Sequence, residues 1–418
     1  MSPRGAGRAR AEGRGSGDFR RLAALIATSF VDMIGFAIVL PLLPFYALDL
    51  HATPVEIGVI ISAFSVAQIL SAPLWGRVSD RYGRRPALLV GLLASAVAYV
   101  VFGLADALWL LLVSRLIQGA GGGTTGVAQA YVADAIEPGQ RARALGWLSA
   151  ATSAGVMLGP GIGSFASNFG REAPGFIAAA LCLMNAAYAW RWLPESNRRG
   201  GADPAPTLRK PVWHTAWEVV RHPARAGSQL IWIYALGMVA FSALSSVLAL
   251  YLGAEFGITE RTIGYVFLYV GALSLLMRSL LLGPIVDRIG ETWTMRLGAL
   301  AFAAGLALLP QAASFWTLAG VIPLMPVGTA LLFPATTALV SRHTSPADYG
   351  TVMGVAQTFA GLARITAPVA ATAAFQHLGP GSPFYLAAGC VAAVALLAFR
   401  AEVLPPSVRT APEPGAPV

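Results

Sequence analysis

The 418-residue chain contains few charged residues, few cysteines and few histidines. Only 12% of its residues are charged and 56% are hydrophobic, whereas about 25% charged residues is typical of a soluble domain. A soluble core cannot bury so much apolar surface, so the composition indicates an integral membrane protein. The two cysteines, Cys182 and Cys390, lie in apolar runs and lack the spacing of a disulfide framework or a metal site. We therefore expect no bound metal.

Signatures of soluble enzymes are also missing. The sequence has no Gly-Lys-Ser/Thr phosphate-binding loop, so nothing indicates ATP hydrolysis. Gly121-x-Gly123-x-x-Gly126 matches a dinucleotide-binding pattern, but it lies inside an apolar run with no strand before it. None of the five histidines lies deep in such a run. We expect neither enzymatic activity nor a cofactor.

Twelve apolar runs are each long enough to cross a hydrocarbon layer of roughly 30 Å. They lie at about 22–48, 56–76, 86–105, 108–132, 143–166, 174–193, 229–253, 262–283, 292–311, 314–340, 350–374 and 383–400. A charged segment, 76–86, separates the second and third runs, and a shorter copy, 283–290, recurs 207 positions later. This repeat predicts an all-α membrane protein whose twelve transmembrane helices form two pseudo-symmetric six-helix halves.

The same pattern predicts the domain boundaries. We expect a disordered basic tail over 1–21, the halves over 22–193 and 229–400, a linker over 194–228 and a second tail over 401–418. Within the linker, residues 213–220 have the pattern of a short amphipathic helix at the membrane surface. With both termini cytoplasmic, 24 of the 29 basic residues fall on the cytoplasmic side and two on the outside, as the positive-inside rule requires. The net charge of +9 then follows from topology in a cell membrane and does not indicate nucleic-acid binding.

Three motifs carry a resemblance to a known family. Gly76-x-x-x-Asp80-Arg81-x-Gly83-Arg84-Arg85 resembles the loop signature of the major facilitator superfamily, and Asp287-Arg288 lies in its second copy. Residues 32–44, which begin Asp32-Met33-Ile34-Gly35, resemble the first span of twelve-helix drug:proton antiporters of the tetracycline-efflux type. Gly155-x-x-x-Gly159-Pro160-x-x-Gly163 resembles the antiporter motif of exporters in this superfamily, with Ser164 in place of a final glycine.

The resemblance implies a proton-coupled secondary antiporter that exports small organic compounds, as in drug or antibiotic efflux, by rocker-switch alternating access. An alternative is a proton-coupled or facilitative uptake carrier for a metabolite such as a sugar, organic acid or siderophore. A third class is a membrane sensor or scaffold that transports nothing. The partners expected on this reading are a small organic substrate, protons and the lipid bilayer, and the protein is expected to be a monomer.

Two charged residues of the first half lie where hydrocarbon makes a charge costly. Asp32 is ten residues into the first run and hence about 15 Å deep. Burial favours its protonated form, while water or a basic partner favours the carboxylate, so it suits a proton carrier. Arg115, in an Arg-x-x-Gln-Gly segment that resembles a superfamily motif, is its predicted coupling partner. The alternatives are a carboxylate held by hydrogen bonds at a helix interface and an arginine that snorkels outward.

The charged loop is predicted to form a cytoplasmic gate. Asp80 can cap the start of a neighbouring helix, and Arg81, Arg84 or Arg85 can reach Asp134 at the end of the fourth run. The resemblance implies that these charges hold the outward-facing state, with Gly76 and Gly83 shaping the loop and Asp287 and Arg288 in the second copy. The alternative is a solvated turn whose arginines only set the topology.

The predicted substrate cavity lies between the halves near the bilayer midplane. A cavity with Asp32 on one side and Arg364 on the other suits an amphoteric or anionic organic molecule. Further polar and aromatic contacts are predicted from Gln68, Gln118, Gln129, Tyr234, Phe241 and Gln357.

Overall fold

The computed structural model describes residues 22–196, 212–223, 225–345 and 348–400, and these residues form helices and connecting turns without a strand. The helices are α1 (22–39), α2 (Leu43–Asp49), α3 (Pro54–Tyr82), α4 (Arg84–Gly103), α5 (Leu108–Gly121), α6 (Thr124–Ala135), α7 (Pro138–Ala166), α8 (Ala173–Trp192), α9 (Val212–Arg221), α10 (Ala226–Phe256), α11 (Ile263–Leu276), α12 (Leu282–Leu308), α13 (Phe315–Val321), α14 (Leu324–His343), α15 (Tyr349–Leu378) and α16 (Ser382–Arg400). The predicted tails and linker residues 197–211 lie outside the described ranges.

Nine helical stretches within the described residues are long and apolar enough to cross a membrane. One of them, Ile263–Gln311, holds two spans, because Gly290 leaves the helical conformation (φ 75°, ψ 165°) and turns the chain back. The pair α5–α6 and the helix α7 complete the twelve. Their glycine, serine and threonine content makes them less apolar than the rest. The predicted all-α fold with twelve membrane helices in two halves is confirmed.

Three of the predicted runs are interrupted rather than continuous. The first breaks over residues 40–42, around Pro41, and the fourth breaks at Gly122 and Gly123 between α5 and α6. The tenth breaks at Pro323 between α13 and α14. Proline removes a helical N–H donor and glycine weakens the helix. Each break starts a new helix, so it sets the face on which the following side chains lie, as for Thr124 after Gly122 and Gly123.

The charged turns of the two halves share one backbone feature. Gly83 has φ 110° and Gly290 has φ 75°, and the two glycines are 207 positions apart. Residues with a Cβ rarely adopt a positive φ, so each half needs a glycine at this turn. A Cβ at Gly83 would also overlap the carboxylate of Glu195. The repeat seen in the sequence is therefore a repeat of turn geometry.

The two halves contact each other at one end of the molecule, through α3 against α15 and α7 against α11. Ser62 Oγ donates to Ile365 O at 2.7 Å, and Ser164 Oγ donates to Glu260 O at 2.6 Å while accepting from Gly264 N at 2.8 Å. These contacts lie away from the charged turns, which contain Gly83 and Gly290. Toward the charged turns the two halves line a common cavity, with Tyr349 and Met353 of the second half facing residues of α1, α4, α6 and α7.

The linker helix α9 spans the predicted amphipathic segment. Val219 is buried in a small apolar cluster with Ile231 of α10 and Val355 of α15. The helix is therefore attached to the second half by apolar packing. Its contact with a membrane surface stays a prediction.

Candidate functional site

A cavity of about 430 Å³ lies between the two halves. Its polar and aromatic lining consists of Asp32, Phe36, Phe64, Ser65, Gln68, Ser95, Tyr99, Arg115, Gln118, Thr124, Thr125, Phe241, Ser242, Ser245, Ser246 and Arg364. Most of these residues belong to α1 and α3–α6, and the last five belong to α10 and α15. Aromatic walls with a few converging polar groups are typical of a site for a small organic molecule.

Asp32 is a buried carboxylate at the edge of this cavity. It is 8% exposed, and its Oδ2 accepts a hydrogen bond of 3.0 Å from Thr124 Oγ1. Thr124 is the first residue of α6, directly after the break at Gly122 and Gly123, so the break places its hydroxyl. Among the described residues this carboxylate has one neutral hydrogen-bond donor and forms no salt bridge, an arrangement that suits a group that gains and loses a proton.

Asp32 also lines a second cavity, of about 510 Å³, that extends toward the charged turns. The polar residues of this second cavity are Thr28, Ser29, Asp32, Thr124, Thr125, Gln129, Ser149, Thr152 and Tyr349. Asp32 and Thr124 are therefore shared by the two cavities. On one side, the carboxylate therefore meets a polar cavity that leads toward the charged turns. On the other side, it meets the central cavity.

The glycine ladder of α7 packs directly against the helix that carries Asp32. A Cβ at Gly155 would lie 2.6 Å from Phe30 O, and a Cβ at Gly159 would lie 2.5 Å from the Cβ of Ala37. A Cβ at Gly163 would lie 2.5 Å from Ile38 O. Real Cβ atoms do not approach other atoms so closely, so this contact requires glycine. Pro160 lies on the other side of the ladder, where its carbonyl faces Gly264 of α11.

Arg115 lies in the same cavity as Asp32 but does not form an ion pair with it. The arginine is 2% exposed, its guanidinium lies 5.5 Å from the ring centre of Phe102, and its Nε is 3.4 Å from Ser114 Oγ. Within the described residues no carboxylate lies within 4 Å of this guanidinium. The predicted coupling pair thus shares a cavity without touching, and its coupling role stays a prediction.

The other predicted cavity residues fall into three groups. Gln68, Gln118, Phe241 and Arg364 line the central cavity, and Gln129 lines the second cavity. Gln357 lines an adjoining pocket of about 340 Å³ beside Gln68 and Arg364. Its Nε2 donates to Tyr234 Oη at 3.3 Å, and Tyr234 packs against Phe333. Tyr234 therefore lies behind the pocket wall, where it positions Gln357.

Sequence reasoning missed several lining residues. Tyr99, Thr124 and the serines of α10 were not predicted. A signal existed for the serines, because Ser242-x-x-Ser245-Ser246 has helical i, i+3, i+4 spacing in an otherwise apolar helix. Tyr99 had no such signal, since it is a single residue in a run of alanine and valine.

In the charged turn, Arg84 is the arginine that reaches Asp134. Its Nε donates to Asp134 Oδ2 at 2.8 Å, and its Nη1 contacts both Asp80 and Ser79. The backbone N–H groups of Arg84 and Arg85 donate to the Glu195 carboxylate at 2.9 and 3.2 Å. Glu195, which was not predicted, thus satisfies the first turn of α4, the role considered for Asp80.

The remaining charges of the two turns are more exposed. Arg81 lies over the ring of Tyr82, and Arg85 donates to the carbonyl of Trp190. Asp287 and Arg288 are exposed on α12 and form no salt bridge with another described residue. In that half the ion pair is instead Glu291 with Arg342. Gly76 and Gly283 have open space beside their Cα atoms.

The family model described as Major Facilitator Superfamily matches residues 25–279 and, in a second match, 230–418. Together the matches cover both halves. The chain belongs to the major facilitator superfamily. The resemblance to its drug-efflux members, drawn from the three motifs, is confirmed by the relatives that follow.

The relatives are resistance proteins of similar length. The chain is 30% identical over 366 residues to the class G tetracycline resistance protein of Vibrio anguillarum, covering 85% of this chain and 91% of that protein. It is 29% identical over 359 residues to multidrug resistance protein 2 of Bacillus subtilis (strain 168), covering 82% and 86%. A bacterial homologue of the human lysosomal transporter Spinster, solved inward-facing and occupied, shares the fold with a TM-score of 0.72, at 15% identity over 91% of this chain and 96% of that chain.

Proposed function

We propose that this membrane transporter is a proton-coupled antiporter that exports small organic compounds of the drug or antibiotic type. The observation that carries the proposal is the position of Asp32, a buried carboxylate shared by a substrate-sized cavity and a second polar cavity. The relatives named for tetracycline and multidrug resistance support the export direction. The same names give no support to the alternative of an uptake carrier.

Coupling in this proposal is competition for one carboxylate. An empty central cavity leaves Asp32 with Thr124 as its hydrogen-bond donor, and the low-dielectric surroundings favour the protonated acid. A substrate that brings a positive or hydrogen-bonding group to the carboxylate favours the ionised form, so the proton leaves. Proton and substrate then occupy the site in alternation, which is the requirement for antiport.

The way in which the halves meet supports the proposal of alternating access. They are hydrogen-bonded through Ser62 and Ser164 at one end, and the second cavity leads toward the charged turns at the other. With the charged turns cytoplasmic, as the distribution of arginine predicts, the structure is inward-open. Rocking the halves about the central cavity would break the serine contacts and close the cytoplasmic end.

The test is Asp32→Asn, which keeps the size of the side chain and removes its titratable charge. Inside-out vesicles with an imposed proton gradient should lose accumulation of tetracycline, while substrate exchange without a gradient continues. Asp106→Asn is the matched control, because Asp106 is an exposed acid in the turn between α4 and α5. Gradient-driven uptake by the Asp32→Asn protein at the wild-type level would exclude Asp32 as the proton carrier.

A further inference from the structure

Two buried polar atoms on α5 have no hydrogen-bond partner among the described residues. They are Nη2 of Arg115 and Oε1 of Gln118. The two residues are 2% and 3% exposed and both line the central cavity. Their i, i+3 spacing places them on one face of the helix. Buried polar groups nearly always have partners in folded proteins, so two such atoms on residues that line one cavity indicate where a ligand supplies the partner.

The neighbours of these residues hold them in place without satisfying them. Gln118 Nε2 donates to Tyr99 Oη at 2.6 Å, which fixes the amide. Arg115 is held by its contacts with Phe102 and Ser114. One atom therefore offers a charged donor and the other an acceptor, one helical turn apart and in fixed positions.

We propose that Arg115 and Gln118 form a subsite for an acidic carbonyl group of the substrate, such as a carboxylic acid or an enolised dicarbonyl. The carbonyl or anionic oxygen accepts from the guanidinium, and an O–H or N–H of the same group donates to the Gln118 oxygen. Charge-assisted bonds to a guanidinium are among the stronger hydrogen bonds in proteins. The subsite rests on the proposed function only in that the central cavity binds substrate.

Charge balance extends the subsite to a substrate class. The cavity contains one acid, Asp32, and two basic residues, Arg115 and Arg364. An amphoteric molecule can place its amine at Asp32, from which one proton leaves to solvent, and its acidic group at Arg115. A purely anionic molecule brings no cation to Asp32, so that acid keeps its proton. Amphoteric compounds are therefore the class that both fills the subsite and exchanges for a proton.

Arg364 is the competing candidate for the acidic group. It is only half-buried, and its Nε lies 3.3 Å from the carbonyl of Ala360 on its own helix. Its side chain also reaches the adjoining pocket beside Gln357. Solvent and a backbone carbonyl can satisfy the N–H groups of Arg364, whereas Arg115 is buried with one nitrogen atom that lacks a partner among the described residues. A ligand acceptor is therefore expected at Arg115 rather than at Arg364.

Three related fluorescent compounds test the subsite. Norfloxacin carries an amine and a carboxylic acid, its methyl ester carries only the amine, and N-acetylnorfloxacin carries only the acid. Binding to the purified full-length protein is measured by fluorescence anisotropy, with proton release recorded in weakly buffered solution. The readout is the affinity ratio of norfloxacin to its ester, because general damage to the cavity weakens both compounds alike.

Wild-type protein should bind norfloxacin about tenfold more tightly than the ester, the size expected for one charge-assisted bond. Arg115→Gln and Gln118→Leu should each bring the ratio close to one, and the control Arg364→Gln should keep it. Norfloxacin should release a proton and N-acetylnorfloxacin should not. Asp32→Asn should abolish the release and keep the ratio, which separates this subsite from the coupling proposal.

Other results overturn the subsite. An unchanged ratio in Gln118→Leu and Arg115→Gln would mean that water satisfies the two atoms. Loss of the ratio only in Arg364→Gln would place the acidic group at Arg364. A wild-type protein without preference for norfloxacin over the ester, including one that binds neither, would also reject it.

Discussion

Gly159→Ala is expected to separate α7 from the helix that carries Asp32. The added Cβ would lie 2.5 Å from the Cβ of Ala37 and 2.8 Å from Ile34 O. Carbon atoms pack at about 3.5–4.0 Å, so the two helices must move apart by about 1 Å. Both nearby groups belong to one rigid helix, so no flexible side chain can absorb the overlap. Overpacking of this kind costs about 1–3 kcal/mol.

The displacement reaches the proposed proton site. Asp32 is held against Thr124 of α6 by a single hydrogen bond of 3.0 Å, and a shift of α1 by a large fraction of that length weakens it. We therefore expect Gly159→Ala to lower the melting temperature of the purified protein and to reduce gradient-driven transport more strongly than substrate binding.

Gly161→Ala is the matched control on the same helix. A Cβ there would meet only Leu268 Cδ2, at 3.9 Å, which is ordinary packing distance. Alanine is also the better helix former by up to about 1 kcal/mol. This control should melt at the wild-type temperature or above it and should transport normally. Equal melting temperatures and equal transport for the two variants would refute the argument that the ladder fixes α1 by close backbone contact.

Three further predictions concern the ends of the molecule. Asp80→Asn should weaken the hold on Arg84, a contact that lies within the first half and is present while the cytoplasmic end is open, so the variant should lower the melting temperature without changing the labelling of engineered cavity cysteines from the cytoplasmic side; faster labelling would show that Asp80 also holds that end closed in the outward-facing state. Ser164→Gly should remove the hydrogen bond to Gly264 of α11 and the one to Glu260 in the turn before it, at about 0.5–1.5 kcal/mol each, and lengthen spin-label distances between α7 and α11, whereas unchanged distances would show that apolar packing alone closes that end. Glu291→Arg should reduce transport by placing two like charges together, and adding Arg342→Glu should restore it; a double variant no better than the single one would argue against an ion pair.

Much of the fold could be predicted because it depends on local pattern. Run length predicted the spans, and the 207-residue repeat predicted the turns at Gly83 and Gly290. The depth of Asp32 followed from counting residues into its run. These inferences need only helix geometry and the cost of charge in hydrocarbon.

The rest depends on how the helices are rotated and packed. The sequence placed Asp32 in the first span and Arg115 in the fourth, but only the packed structure shows that they share a cavity without contact. Glu195 contacts the start of α4 although it lies more than a hundred residues later in the sequence. No local sequence pattern predicts such a contact. Ser164 stood out only as a departure from a glycine motif, although its hydroxyl joins the two halves.

The second charged turn shows why comparing identical residues can miss a repeated interaction. Its trailing arginines are absent, so the turn looks degenerate. However, Arg84 corresponds to Glu291 at an offset of 207 and Asp134 corresponds to Arg342 at an offset of 208, and both halves form the ion pair at this place. An ion pair survives when its two partners exchange charge, because the attraction depends only on opposite sign. The structure thus keeps the contact between the third and fourth spans of each half. A search for complementary charges at offsets of 207 to 208, rather than for identical residues, would have found it.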